Sequence, residues 1–261
     1  MTTAGEIYDY IDLFAPFDTA MDFDNVGLLV GAREISSEKV LVSLDVTSAT
    51  ILEALEKGAK IIVSHHPIIF SPLKNLLSDS IPFLAAAAGV TVISAHTNLD
   101  IAVGGVNDTL ARAAGVSFTE GTDSSCCLYG TFEKEYNSSE ELCGKLCEAL
   151  SCKGIRFTSR KGRIKSVCVA CGAGGSSIFS AAKRGTDALI TGEIKHHELL
   201  FAKEKNIAVF DVGHYCSENL IVRELIKKLS EKFPSCCFIS SETGGDGTDY
   251  YVNTERNKNG T

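Results

Sequence analysis

The sequence predicts an α/β protein with largely parallel sheets flanked by helices, arranged as two similar halves. Two observations carry this: runs of β-branched and apolar residues alternate with segments of helical period, and that alternation occurs twice along 261 residues. A third agrees with them, because every histidine follows the end of a predicted strand, where open α/β sheets gather their ligand groups.

In the first half the predicted strands are Val40 to Val46, Ile61 to Ser64 and Thr91 to Ala95. Helices Ala49 to Lys57 and Ile81 to Ala88 lie between them, and Asn107 to Ala114 follows. The second half reads as strands at Tyr129 to Phe132, Ile155 to Thr158, Val167 to Ala170, Ala188 to Thr191 and Ala208 to Val212. Its helices are Ser139 to Leu150, Ser177 to Lys183 and Glu198 to Lys205. A closing helix near Ser217 to Leu229 sets Leu220, Ile221, Leu225 and Leu229 on one face, so it packs on a sheet. Periodicity leaves open which half receives it. The polar, turn-rich stretch Gly121 to Ser125 is the candidate boundary. The expected division is residues 1–124 with 213–261 as a first domain carrying most of the candidate ligands, and 125–212 as a second. Residues Thr254 to Thr261 are polar and expected to fray. The turn Gly172-Ala173-Gly174-Gly175 joins a strand to a helix; its amides could hold a phosphate, but a tight turn accounts for the glycines and is the preferred reading.

Hydrophobic residues make up 44% and charged residues 22% of the chain, so it can bury a full core without a disulfide or metal staple. A formal net charge of −8 argues against nucleic acid and anionic membranes, which require clustered Lys and Arg. No segment reaches the roughly 18 apolar residues of a membrane span, and Met1 to Phe14 carries no secretion leader. A cytoplasmic location is expected. The ten cysteines then read as free, mostly buried thiols. In the one CxxC pair, Cys168 and Cys171, three strand steps separate the residues by about 10 Å and turn them to opposite faces. That exceeds the roughly 7 Å Cα separation a disulfide tolerates.

All six histidines fall in four segments: Ser64-His65-His66-Pro67, Ala95-His96-Thr97-Asn98-Leu99-Asp100, Gly192-Glu193-Ile194-Lys195-His196-His197 and Gly213-His214-Tyr215-Cys216-Ser217-Glu218. Meeting at one rim, they would build one polar site. Consecutive imidazoles diverge, so His65 and His66 can each hold a different ion. Asp100 and Glu218 lie in two of the same segments, each four residues beyond a histidine, and one of them is expected to bridge. Ions about 3.5–4 Å apart can jointly bind and acidify a water. Such nitrogen and oxygen ligands suit two divalent transition-metal ions per chain, Zn, Mn, Fe, Co or Ni. Cys216 is expected to face the core.

These residues resemble the Nif-three-like family of dinuclear-metal-centre proteins, the GTP cyclohydrolase I type 2 homologues. The likeness spans nearly the whole chain, through Asp24-Asn25-Val26-Gly27-Leu28 with Gly31, Ser64-His65-His66-Pro67, Ala95 to Asp100, Thr191-Gly192-Glu193, and Gly213-His214 followed by Glu218. It implies metal ligands at His65, His66, Asp100, His214 and Glu218, with Glu218 bridging. His96 and Glu193 would stand beside the metals as catalytic groups, and Asp24 and Asn25 would shape the pocket wall. It implies two related α/β domains and a homohexameric ring, in the compact form without the mid-chain inserted domain.

The expected function is metal-dependent hydrolysis of a nucleotide-like small molecule, with His96 or Glu193 moving protons. GTP comes from the family name alone, since the chain has no GxxxxGK[ST] loop. A metal-storing or regulatory hexamer without turnover would use the same ligands. A purely structural role would leave the histidine segments unexplained.

Overall fold

The computed structural model describes residues 1–120 and 126–251. The candidate boundary at 121–125 and the polar end at 254–261 lie outside the described residues.

The chain enters through a two-residue strand β1 (Thr2–Thr3) and helix α1 (Ala4–Phe14). Thr3 and Glu6 cap α1 reciprocally, the Thr3 hydroxyl accepting from the Glu6 amide at 3.1 Å and the Glu6 carboxylate accepting from the Thr3 amide at 2.8 Å. Ile7 and Ile11 on its inner face are fully buried. Strand β2 (Gly27–Val30), the short β3 (Ser36–Ser37), β4 (Lys39–Ser43), helix α2 (Ser48–Lys57), β5 (Ile61–Ser64), α3 (Ile81–Ala87) and β6 (Thr91–Ser94) follow. Gly58 ends α2 in the left-handed conformation at φ 72°, which frees the chain to return as β5. Next come the one-turn helix α4 (Thr97–Ile101) and α5 (Val106–Ala113).

The second set is β7 (Val116–Glu120), β8 (Leu128–Tyr136), α6 (Ser139–Leu150), β9 (Arg156–Thr158), β10 (Ile164–Ala170), α7 (Ile178–Arg184), β11 (Ala188–Thr191), α8 (His196–Glu204) and β12 (Ala208–Asp211). The chain closes with α9 (His214–Glu218), α10 (Leu220–Lys232) and β13 (Cys237–Ser240).

Two larger sheets result. One runs β13-β4-β5-β6-β2, with β13, β4, β5 and β6 parallel and β2 antiparallel at the edge. The other runs β7-β8-β10-β11-β12-β9, parallel through β10, β11 and β12 and antiparallel outside them. The α/β class therefore holds, with parallel centres and antiparallel edges. Strands β5 and β6 are buried along their whole length, which is why they read as unbroken apolar runs rather than alternating ones. Each fully buried Ile or Val there is worth about 2 kcal/mol.

The closing helix starts earlier than expected, at His214, and divides at Asn219 into α9 and α10. Helix α10 packs on β13 and β4 and against α5, the question periodicity left open. One apolar cluster reaches from Val40, Ile61 and Ile93 through Leu110 and Leu225 to Ile190 and Phe210, tying the two sheets to one core. Cys143, Cys147, Cys152, Cys171, Cys216, Cys236 and Cys237 are free thiols. Cys168 and Cys171 fall in different apolar clusters, as their opposite-face placement requires.

Candidate metal centre

The centre forms where the carboxyl ends of the parallel strands of both sheets meet. After β5 the ladder runs on for two residues: the His65 amide donates to the Ser43 carbonyl at 3.2 Å and the His66 amide to the Leu44 carbonyl at 2.9 Å. Both imidazoles thus start from a fixed backbone. His65 is completely buried. Its Nδ1 lies 2.8 Å from the Ala95 carbonyl, and a carbonyl only accepts, so Nδ1 carries the proton and Nε2 faces the centre. The His66 ring stands beside it, the two centroids 4.9 Å apart. The parallel register that aligns Ser43 with Ser64 brings Asp45 beside it, Oδ1 to Nδ1 at 2.7 Å.

From β6 the chain passes His96 into α4. The Asp100 amide donates to the His96 carbonyl at 2.9 Å, so this single turn carries Asp100 back toward the imidazoles. His96 Nδ1 stands 2.9 Å from Asp24 Oδ1, and the other Asp24 oxygen accepts from the Thr97 amide at 3.0 Å and its hydroxyl at 2.5 Å. Burial pushes the Asp24 carboxyl up, yet the His96 and Thr97 bonds outweigh it and hold the group far below the usual carboxylate range.

The other sheet supplies His214 and Glu218, four residues apart on the single turn α9 and hence on one face. Their Nε2 and Oε2 atoms are 3.1 Å apart. His214 Nδ1 contacts Glu193 Oε1 at 2.7 Å. Glu218 is 2% exposed, and its Oε2 also lies 2.9 Å from His66 Nε2 and 3.8 Å from His65 Nε2. Gly172, after β10, backs this carboxylate at φ +53°; any Cβ there would overlap Glu218 Oε1. Gly175 is equally pressed, a Cβ meeting the Glu193 carbonyl at 2.6 Å. Close packing of backbone against ligands explains these glycines.

Among the described residues three groups of ligand atoms lie within 4.8 Å of one another: His66, His214 and Glu218; His65, Asp100 and Glu218; and His65, His66 and His96. The first two groups contain the five residues expected as ligands, and they share Glu218. Of the three buried side-chain atoms without a hydrogen bond among the described residues, two lie in this centre, His65 Nε2 and Asp100 Oδ1, 3.5 Å apart. Such orphans cost about 1–3 kcal/mol each, and an imidazole nitrogen facing a carboxylate oxygen is a pair that a cation completes. The donor set therefore fits divalent transition metals.

The same groups shift one another's protonation. Burial alone would raise the Glu218 carboxyl, but the imidazoles of His214, His65 and His66 hold it well below the usual range. Burial lowers His66 while Asp45 and Glu218 raise it, the net result being about 10. Glu218 first, and Glu193 with it, carries His214 to about 9 against the pull of burial. Asp100 is pushed up by desolvation.

Glu193 is largely exposed and reaches the centre only through His214. His196 and His197 do not join it: the helix α8 begins there and leaves both on its exposed surface. Three of the four histidine segments bring imidazoles to the centre and the fourth brings Glu193 against His214; His196 and His197 were not among the expected site residues. Sequence reasoning also missed Asp45, which lay inside the predicted strand, and Cys171, whose thiol neighbours Asp100. Cys216 is half-buried and pairs with the Cys152 thiol rather than facing the core.

Two cavities open on the centre and share His66 and His214. The larger, about 720 Å³, is walled by Phe23, Phe70, Thr97 and Ser176. The smaller, about 290 Å³, is lined by Asp45, Tyr215, Asp246 and Tyr250.

The family model described as Duf34/NIF3 (NGG1p interacting factor 3) matches residues 2–244. The chain belongs to the Duf34/NIF3 family. Among NIF3 relatives, the "GTP cyclohydrolase 1 type 2 homolog" of Clostridium acetobutylicum is 33% identical over 236 residues, covering 86% of this chain and 88% of that one. A protein of the same name from Clostridium perfringens is 30% identical over 259 residues, with 94% and 98% covered. The NIF3 fold is matched by the crystal structure of the Staphylococcus aureus protein SA1388 at TM-score 0.86 and 24% identity, covering 96% of this chain and 99% of that one. Among the described residues no helix is long and apolar enough to cross a membrane.

Proposed function

We propose that the chain binds two divalent transition-metal ions and hydrolyses a nucleotide-like small molecule in the larger cavity. The observation that carries this reading is the sharing of Glu218 between two three-residue groups, one with His66 and His214 and one with His65 and Asp100. A carboxylate common to two ligand sets is what a pair of neighbouring cations requires. Held by these residues, the ions would supply Lewis-acid chemistry, acidifying water and polarising the substrate.

The chain's own residues divide the remaining work. His96 holds the Nδ1 proton against Asp24 at 2.9 Å, which leaves Nε2 to take a proton at the cavity wall. Asp45 fixes the His66 ring, and Glu193 fixes the His214 ring in the same way. Glu193 is thus a positioning residue, and His96 is the proton carrier. The names of the clostridial relatives support the nucleotide-like class. The homohexamer implied by the resemblance belongs to this reading, and sedimentation measures it directly.

The test loads the chain with each of Zn, Mn, Fe, Co and Ni, counts ions by elemental analysis, and incubates it with a nucleotide panel in ¹⁸O water, with His65→Ala as control. Two ions per chain and ¹⁸O in a product that the variant does not form are expected. Intact nucleotides with every metal would overturn the hydrolase, and no metal uptake would overturn the centre itself.

A further inference from the structure

The larger cavity has one feature the metal centre does not use. Phe23 and Phe70 stand at its wall with 63% and 49% of their surface exposed. Their ring centroids are 6.2 Å apart with planes tilted by 54°. A ring stacked between them would need about 3.5 Å on each face, so the two are too close to form a slot and act as one continuous aromatic wall.

The loops that present them are anchored. The Asn25 side chain, two residues from Phe23, donates to the Ile69 carbonyl next to Phe70 at 2.5 Å. Thr97 receives the Met21 amide at 2.9 Å on the other side of Phe23, and Ile68 and Ile69 pack into a buried apolar cluster. Two large aromatic side chains are therefore held toward solvent by a fixed backbone, an arrangement that marks a binding surface. Phe70 also meets His96 edge-on, with centroids 6.2 Å apart at 79°, so a group lying on the wall comes within reach of the proposed proton carrier. Another part of the same cavity is polar, with backbone and hydroxyl groups at Gly174, Ser176 and Ser177. A ligand that fits both has a flat apolar face and a hydrogen-bonding edge. Sugars lack the first and hydrocarbons lack the second.

We infer that Phe23 and Phe70 seat the planar heteroaromatic part of the ligand and thereby determine which substrates are accepted. This rests on the larger cavity being the substrate site. No Lys or Arg is present among the described residues lining it, so uncharged nucleosides report on the wall without a phosphate contribution.

The test is calorimetric titration of the full, metal-loaded chain with guanosine, adenosine and cytidine, with ribose as control, for wild type, Phe23→Ala, Phe70→Ala and Phe70→Tyr. Metal content and thermal unfolding are checked in each variant, both side chains being exposed enough to leave the fold intact. At least one nucleoside should bind where ribose does not, each alanine variant should weaken it about tenfold, and Phe70→Tyr should retain it. Ribose binding as well as the nucleosides, no nucleoside binding at all, or affinity unchanged in both alanine variants would overturn the inference. Nucleoside binding without turnover of any nucleotide sinks the hydrolase and leaves the aromatic seat standing. Turnover at unchanged KM in both alanine variants sinks the seat and leaves the hydrolase.

Discussion

Glu53 and Glu218 are both buried carboxylates, 6% and 2% exposed, and both are held ionised against the cost of burial. Their surroundings differ in kind. Glu53, on α2, accepts from the Ser241 hydroxyl at 2.6 Å, the Thr243 hydroxyl at 2.7 Å and the Glu242 amide at 2.9 Å, and pairs with Lys57 at 2.8 Å. Its donors are permanent, and they pin the chain beyond β13 to α2. Glu218 meets three titratable rings, and beside it His65 Nε2 and Asp100 Oδ1 have no partner. The first carboxylate is held by donors that do not change, whereas the second faces ionisable rings in a group able to hold a metal ion. Burial of an acid is thus no sign of function by itself; the chemistry of its partners separates a structural clasp from a ligand.

Three substitutions sharpen or break that contrast. The largest effect is expected from Glu218→Gln, which should abolish tight metal binding by elemental analysis, because it removes the one carboxylate common to both three-residue groups. Full metal content in this variant would remove the distinction. Glu53→Gln should do the reverse: normal metal content, with a loss of about 2 kcal/mol in urea unfolding from its charged hydrogen bonds. The same variant carries a pH signature. Burial raises Glu53, but Lys57, Ser241 and the amide and hydroxyl donors bring it to about 2. A depressed folded pKa gives stability that is full above the ordinary carboxylate value of about 4.3 and is lost as pH falls toward about 2. The acid limb of the wild type over that window should therefore flatten in Glu53→Gln. The smallest effect is expected from Asp45→Asn, which loosens the His66 ring and should weaken one ion about tenfold, leaving the other unchanged in a competition titration.

Much of this was legible beforehand because the centre sits on the least ambiguous elements. Strands β5 and β6 are unbroken β-branched runs ending directly in His65 and at Ala95-His96, so the strand ends and the candidate ligands could be read together. What escaped depends on pairing across distance. Asp45 became visible only when the register of β4 on β5 set it opposite His66. Strands β2 and β13 lie at sheet edges and are only partly buried, so neither reads as a continuous apolar run, and β13 comes from the far end of the chain to pair with β4. Helix α1 was missed although Thr3 and Glu6 carry a readable capping signature. His196 and His197, not among the expected site residues, stay outside because helix α8 begins at them.

The contact between Gly172 and Glu218 joins a turn of one sheet to a ligand that faces imidazoles borne by the other. With no side chain as a cushion, that turn sets a hard limit on how far the carboxylate can retreat. The spacing of the two halves is thereby written into the position of one oxygen pair, and a misfit as small as a methyl group at Gly172 would push that carboxylate out of both three-residue groups at once.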